Sequence, residues 1–294
     1  MSVALVTDST AYLPPDLTAE LGITVVPLHV SVDGRDHTEG VDIDDADLLR
    51  SLKRSRSLTS SRPSPQAFRE VYERVAADGA THVVSAHLAG GLSGTCDSAR
   101  LAAGVVDVPV EVVDSGSMGM TLGHAVLAGA RRAVRGADVE DVARTVRRVA
   151  RAGELMFVVH TLEHLRRGGR IGNAAALVGS ALAVRPLLRL VDGRIEPVEK
   201  VRTTGRALAR LVDLAAEACP GERVAVTVHH LADEVGAHKL AARLDERLGD
   251  RLVEDTGVRP IGAVAAIHLG PGAVAVSVSP CDAEESPEDH PGST

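Results

Sequence analysis

Four short clusters of hydroxyl, glycine and basic residues are the places in this chain where chemistry could sit. The first, Gly90-Gly91-Leu92-Ser93-Gly94-Thr95, follows an apolar β-branched run and leads straight into a helical stretch. Free backbone N–H groups at a helix start, joined by the Ser93 hydroxyl, would accept a small anion such as a carboxylate. The hydroxyl of Ser93 or Thr95 would equally serve as an ordinary helix cap. In the second cluster, Thr59-Ser60-Ser61-Arg62-Pro63-Ser64-Pro65, Ser64 reads as an N-cap with proline at the first helical position. That role leaves Thr59, Ser60 and Ser61 unexplained. Hydroxyls from these two loops meeting one carboxylate would bind it without a full positive charge. The third cluster, Arg166-Arg167-Gly168-Gly169-Arg170-Ile171-Gly172, suits a phosphate or carboxylate partner, or is a solvated basic turn. The fourth, His268-Leu269-Gly270-Pro271-Gly272, places a histidine beside a tight turn, where it would handle a proton or serve structure alone.

Ser93 as a nucleophile defines the competing reading, a serine hydrolase or a small phosphotransferase. Against it, Gly91 to Thr95 misses the Gly-x-Ser-x-Gly elbow at Thr95, and acids such as Asp114 fit no obvious triad order. Metal chemistry is weaker still. His229 and His230 are adjacent and would point apart on an extended strand end. Cys96, Cys219 and Cys281 form no CxxC pair, and an odd count argues against a disulfide framework. No metal and no cofactor is expected. A net charge of -8 disfavours nucleic acid, which needs Lys and Arg gathered on one face. With no Trp, two Phe and two Tyr, any pocket should be aliphatic, better matched to an alkyl chain than to a nucleobase.

The elements that would position these clusters follow from hydrophobic patterning. A chain of 294 residues, 45% hydrophobic, is long enough for two ordinary cores, so an α/β fold of two domains is expected. The first half repeats an apolar run, a polar or glycine-rich turn and a helical stretch, which is the βαβ theme. Strands are expected at Val3 to Thr7, Thr24 to Val32, His82 to His87 and Val110 to Val113. Helices follow near Gln66 to Asp78, Cys96 to Gly104, Gly119 to Val134 and Val139 to Arg151. Continuous hydrophobicity implies a parallel sheet flanked by helices on both faces, with the loops after its strands sharing one edge. Leu28 to Ser57 is less regular, with Asp42 to Asp47 capping a short helix.

After about Gly153 the pattern becomes mixed: a strand at Leu155 to His160, a glycine-rich turn, a helix to about Val184, and a hairpin about Asp192-Gly193. Further helices at Gly205 to Ala218 and Glu234 to Leu248, with strands at Arg223 to Val228, Arg251 to Glu254 and Ala273 to Val278, complete a second α/β domain with a mixed sheet. The expected division is 1–154 for an N-terminal domain carrying the carboxylate-binding loops, 155–280 for a C-terminal domain, and a disordered tail over 281–294. The apolar stretches are far shorter than the roughly 20 residues of a membrane span. The chain opens on a strand-like run rather than a signal peptide, so a cytoplasmic location is expected.

In this order and at these separations the clusters resemble the DegV family. Val6-Thr7-Asp8-Ser9 is similar to its N-terminal signature, Ser60 to Ser64 to its Thr-Ser-Gln-Pro-Ser loop, and Leu92 to Thr95 to its Leu-Ser-Gly-Thr loop. Gly168 to Ile171 resembles its Gly-Gly-Arg-Ile turn and His268 to Gly272 its His-x-Gly-Pro-Gly close. The resemblance spans about residues 3 to 279. It implies a two-domain α/β fold with one long-chain fatty acid in a tunnel between the domains and no catalysis by the chain alone. It also implies Ser93 as one carboxylate ligand and, anchoring on Pro63, Ser60 as the other, with Thr59 or Ser61 as substitutes. Arg62 departs from the family's glutamine. Arg170, His268 and Gly94 match positions that support the carboxylate network or kinase docking. The implied partner is an ATP-dependent fatty acid kinase that converts the carboxylate to an acyl phosphate, which suits a chain with no Gly-x-x-x-x-Gly-Lys-Ser/Thr loop. Such a carrier would touch a membrane surface transiently, since about 0.8 kcal/mol per buried methylene favours moving an acyl chain into a closed tunnel.

Overall fold

In a computed structural model that describes residues 2–54, 57–177, 184–219 and 223–281, the first domain runs β1 (Val3–Asp8), α1 (Pro15–Glu20), β2 (Thr24–Val26), β3 (His29–Val32), β4 (Arg35–Thr38), α2 (Asp45–Arg54), β5 (Leu58–Ser61), α3 (Pro65–Ala77), β6 (His82–His87), α4 (Thr95–Ala103), β7 (Val110–Asp114), α5 (Gly119–Val134) and α6 (Val139–Ala152). Its main sheet is parallel, in the order β2-β1-β6-β7. The strands are apolar on both faces because both faces are covered. Val6 and Val83 share a core with Phe68 and Tyr72 of α3 and Ala99 of α4, whereas Leu5 and Val84 belong with Ala125 of α5 and Val142 and Val146 of α6.

The single strand expected from Thr24 to Val32 is divided in two. β2 ends at Val26, ahead of Pro27, and β3 joins a separate antiparallel sheet of order β4-β3-β5. The hairpin between β3 and β4 turns on Asp33-Gly34, with φ of 48° and 83°. Positive φ at both central residues is the geometry of a type I′ turn, which Asp-Gly favours.

The second domain runs β8 (Glu154–Val158), α7 (Glu163–Arg167), β9 (Arg185–Val191), β10 (Arg194–Val201), α8 (Thr204–Glu217), β11 (Arg223–His230), α9 (Glu234–Leu248), β12 (Gly257–Pro260), α10 (Ala263–Leu269) and β13 (Val274–Cys281). Its sheet is mixed, in the order β10-β9-β8-β13-β11-β12. The Asp192-Gly193 hairpin forms as expected. Arg251 to Glu254 makes only one bridge, Val224 to Leu252. Arg251 donates to the carbonyls of Ala216, Ala218 and Cys219 and holds that stretch in a tight turn, and β12 takes the edge instead. Of the helix expected through Val184, Gly172–Leu177 is a 3-10 turn and 178–183 lie outside the described residues. Of the expected tail, Cys281 closes β13 and 282–294 lie outside them too.

Period-two alternation divides the second sheet's faces between two tasks. Val226, Val228, Val276 and Val278 pack with Leu211 of α8 and Leu244 of α9. The intervening Thr227, His229, Ser277 and Ser279 face α5. There the N–H of Met120 donates to His229 Nε2 (3.3 Å) and that of Thr121 to Ser277 Oγ (3.2 Å), satisfying first-turn donors of the helix. His124 bridges Ser279 Oγ through Nδ1 (3.1 Å) and Thr227 Oγ1 through Nε2 (3.3 Å). Hydrogen-bonded polar groups thus join the two domains at this seam.

Burial pushes His124 and His229 down to about 3, with positive charge on Arg131 adding to the first and neighbouring histidines to the second. Both rings are therefore neutral in the fold, whereas in the unfolded chain they titrate near 6.5. The stability they contribute is intact above pH 6.5 and is lost progressively as pH falls toward 3. The thermal midpoint is expected to fall between pH 7 and pH 4. His124→Asn should lower it at pH 7 yet flatten this decline, so that the two curves converge; parallel curves would contradict the neutral-histidine seam.

Candidate functional site

A cavity of about 900 Å³, counted to its open mouth, lies between the domains. The second sheet presents Leu155, Phe157, Leu190 and Ala275 to it; Leu28, Leu88, Leu92 and Met118 enter from the first domain, and Ile261, Val264 and Leu269 from around α10. Aliphatic side chains dominate the lining. A mostly apolar concavity with a few convergent polar groups is the usual form of a small-molecule site.

Besides Tyr12 and His229, the polar groups come from three of the clusters marked in the sequence plus the histidine of the fourth, and contacts link these last in a ring. Ser60 Oγ on β5 lies 2.9 Å from His268 Nε2 on α10. His268 packs against Gly168, where any Cβ would collide with the imidazole. Arg170 donates from Nη1 to the Gly168 carbonyl (2.5 Å) and from Nε to the Leu92 carbonyl (3.1 Å), tying the glycine-rich turn to the loop that carries Ser93. Ser93 Oγ meets the buried Thr95 Oγ1 at 2.9 Å. Gly94 closes the ring, because a side chain there would collide with the guanidinium of Arg62, which follows Ser61.

Ser60, Ser61, Arg62, Ser93, Arg170 and His268 all line the cavity. Thr59 does not: it is exposed and pairs with Ser31 of β3, further from the Ser61 end of β5 at which the lining residues Ser60, Ser61 and Arg62 follow one another. Gly94 contributes space rather than a ligand. The lining includes no Asp or Glu among the described residues. Burial, reinforced by the positive charge of Arg170, lowers His268 to about 4, so its ring is neutral near pH 7. The mouth therefore combines neutral hydroxyls with two permanent cations.

Glu39 is a part of this site that sequence reasoning missed. Its side chain is only 5% exposed; Oε2 accepts from Ser9 Oγ (2.5 Å) and Oε1 from the Val264 N–H (2.9 Å). Ser9 Oγ in turn accepts the Leu28 N–H (3.0 Å). One carboxylate thus fastens the β3–β4–α2–β5 segment, which supplies Ser60, to the start of α10, which supplies His268. Burial raises Glu39 to about 7 against the pull of its two donors. Gly262 makes the approach feasible, since a Cβ there would stand 2.7 Å from Tyr12 Cε1 and would collide with Glu39 Oε1. Tyr12 adopts φ of 52° and sets its ring edge-on to His229, centroids 5.6 Å apart. An acid between two short polar segments, with its partners at positions 9 and 264, has no local pattern to announce it.

Comparison with known proteins gives a consistent result. The family model described as "Uncharacterised protein, DegV family" matches residues 2–281. A DegV domain-containing protein of Streptomyces coelicolor is 48% identical over 277 residues, 94% of this chain and 98% of that protein. Among solved structures, a DegV family protein from Thermus thermophilus described by its fatty acid binding superposes with a TM-score of 0.89 at 34% identity, covering 96% of this chain and 100% of that one. DegV from Bacillus subtilis, described as a fatty acid binding protein, gives 0.86 at 30% identity, with coverage of 96% and 100%.

Glu39→Ala strands the Ser9 hydroxyl and the Val264 amide in the first turn of α10, a loss of about 2 kcal/mol, which for a protein of this size is roughly 5 °C in thermal midpoint. Amide exchange should accelerate over β3, β4 and β5 and stay unchanged over β1, β6 and β7. Glu39→Gln, which keeps an acceptor for Val264, should lose less. An unaltered midpoint and exchange pattern in Glu39→Ala would show that the carboxylate does not fasten the segment.

Proposed function

The chain belongs to the DegV family, and from that premise we propose that it carries a long-chain fatty acid in the cavity between its domains and presents the carboxylate to an ATP-dependent kinase. The observation that supports this most directly is the lining of the cavity: mostly aliphatic, with Ser60, Ser93, Arg170 and His268 joined by hydrogen bonds and close contacts on one side. An acyl chain is stabilised in such a lining by about 0.8 kcal/mol per methylene.

In this reading the hydroxyls act as donors to the ligand, with their own oxygens accepting from His268 and Thr95. With its proton on Nε2, neutral His268 donates to Ser60 Oγ, and the Ser60 O–H is then free to donate to the ligand. Thr95 does the same for Ser93. Each serine is thereby oriented toward an anion, and charge-assisted hydrogen bonds of this type are about twice as strong as neutral ones. Arg170 stabilises the carboxylate by its charge while its Nε and Nη1 hold the Ser93 loop in place.

The kinase supplies the phosphoryl group. A carboxylate oxygen attacks the γ-phosphorus of ATP, the bond from that phosphorus to the bridging oxygen breaks with its electron pair leaving on ADP, and the products are acyl phosphate and ADP. No proton changes hands, so the carrier needs no general base. This accords with Ser93 Oγ meeting Thr95 rather than a histidine, a poor arrangement for the hydrolase alternative. The carrier is non-catalytic in this account, with loading by transient contact with a membrane surface.

Removing one hydrogen bond to a charged group costs about 1.5–3 kcal/mol, so Ser93→Ala should weaken binding of a fluorescent long-chain fatty acid by roughly 10- to 100-fold with little change in thermal midpoint. Thr95→Val should weaken it less. Undiminished affinity in Ser93→Ala would remove that serine from the binding site.

A further inference from the structure

We propose that Arg62 makes the mouth of the cavity selective for an acyl chain ending in a dianionic phosphoryl group over the same chain ending in a carboxylate. The proposal rests on the carrier reading above and adds to it the headgroup form that the site holds more tightly. Arg62 lines the cavity beside Ser60, Ser61 and Ser93, and its guanidinium lies against Gly94 at the start of α4. It makes no hydrogen bond or ion pair with any described residue. The other cation of the mouth is differently committed, since Arg170 spends Nε and Nη1 on the carbonyls of Leu92 and Gly168.

Charge balance gives the inference its direction. No carboxylate among the described residues lines the cavity, and the nearby acids are engaged elsewhere: Asp97 pairs with Arg100 at 3.1 Å, Asp114 accepts the Gly90 and Gly116 amides, and Glu39 accepts from Ser9 and Val264. A fatty acid brings one negative charge, which two serine hydroxyls and Arg170 answer. A phosphoryl headgroup brings a charge of about -1.5 to -2 and three strong acceptor oxygens. It also extends outward from the carboxyl position, toward the exposed rim where Arg62 stands. A guanidinium presents paired donors in the fork that a phosphoryl group accepts. Gly94 lacks the side chain that would push Arg62 away. The consequence is retention: an acyl phosphate made on the carrier is held at the mouth rather than released.

The test uses the full chain stripped of lipid. Palmitic acid and hexadecyl phosphate, a stable phosphate monoester of the same chain length, are titrated as competitors of a fluorescent fatty acid at pH 7.5, in wild type, Arg62→Gln and Arg62→Lys. The ratio of the two affinities should shift about 10-fold against the phosphate in Arg62→Gln, the effect of one charge-assisted contact, and by less in Arg62→Lys, which keeps the charge without the fork. Affinity for the acid should fall only about 2-fold. A ratio that is the same in wild type and Arg62→Gln overturns the proposal while leaving the carrier reading intact, and is the result expected if Arg62 instead docks an acidic protein surface. A wild-type protein that binds neither the fluorescent probe nor either competitor overturns both.

Discussion

An apolar cavity between two sheets cannot be kept in shape by the packing of its own lining, because every side chain that faces the cavity lacks neighbours on that side. Its walls have to be positioned by interactions made outside it. Here they are buried or partly buried hydrogen bonds at three places. His124, His229, Ser277 and Ser279 join α5 to the second sheet; Arg170 ties the glycine-rich turn to the Ser93 loop; Glu39 fastens the small β4-β3-β5 sheet to α10. Each is costly to break, since a buried donor or acceptor left alone forfeits its solvation. The aliphatic lining is thereby left to select a ligand rather than to hold the fold together.

The same economy governs the mouth. Ser60 and Ser93 each stand within hydrogen-bond distance of a second polar group, His268 and Thr95, which restricts the rotamers of the two serines before any ligand arrives. Preorganised donors lose little on binding. Burial and Arg170 keep His268 neutral near pH 7, and the positive charge at the mouth is therefore fixed by two arginines over the physiological range.

Much of this was legible in the sequence, and the exceptions are instructive. The parallel sheet, its covering helices and the mixed second sheet were readable because β-branched runs and helical periods are local signals. Ser60, Ser93, Arg170 and His268 were marked by the glycines and prolines about them, and they do share one cavity. The β3–β4 hairpin was overlooked although Asp33-Gly34 carries the same signal as the recognised Asp192-Gly193, because the flanking strands are short and polar. The apolar stretch Ala263 to Ile267 gave no indication that it forms the helix α10 bearing His268. Glu39 was invisible because its role depends on residues 30 positions before and 225 positions after it, and Thr59 differs from Ser60 and Ser61 only by its place along β5.

The central claim is that this protein holds a fatty acid. It is tested most directly by extracting freshly purified protein with organic solvent and identifying the extract by mass spectrometry beside the native intact mass. The account predicts one equivalent of long-chain fatty acid per chain, lost from the native mass on delipidation and regained on adding the acid back. A protein that carries no lipid as purified and takes up none when offered would contradict it.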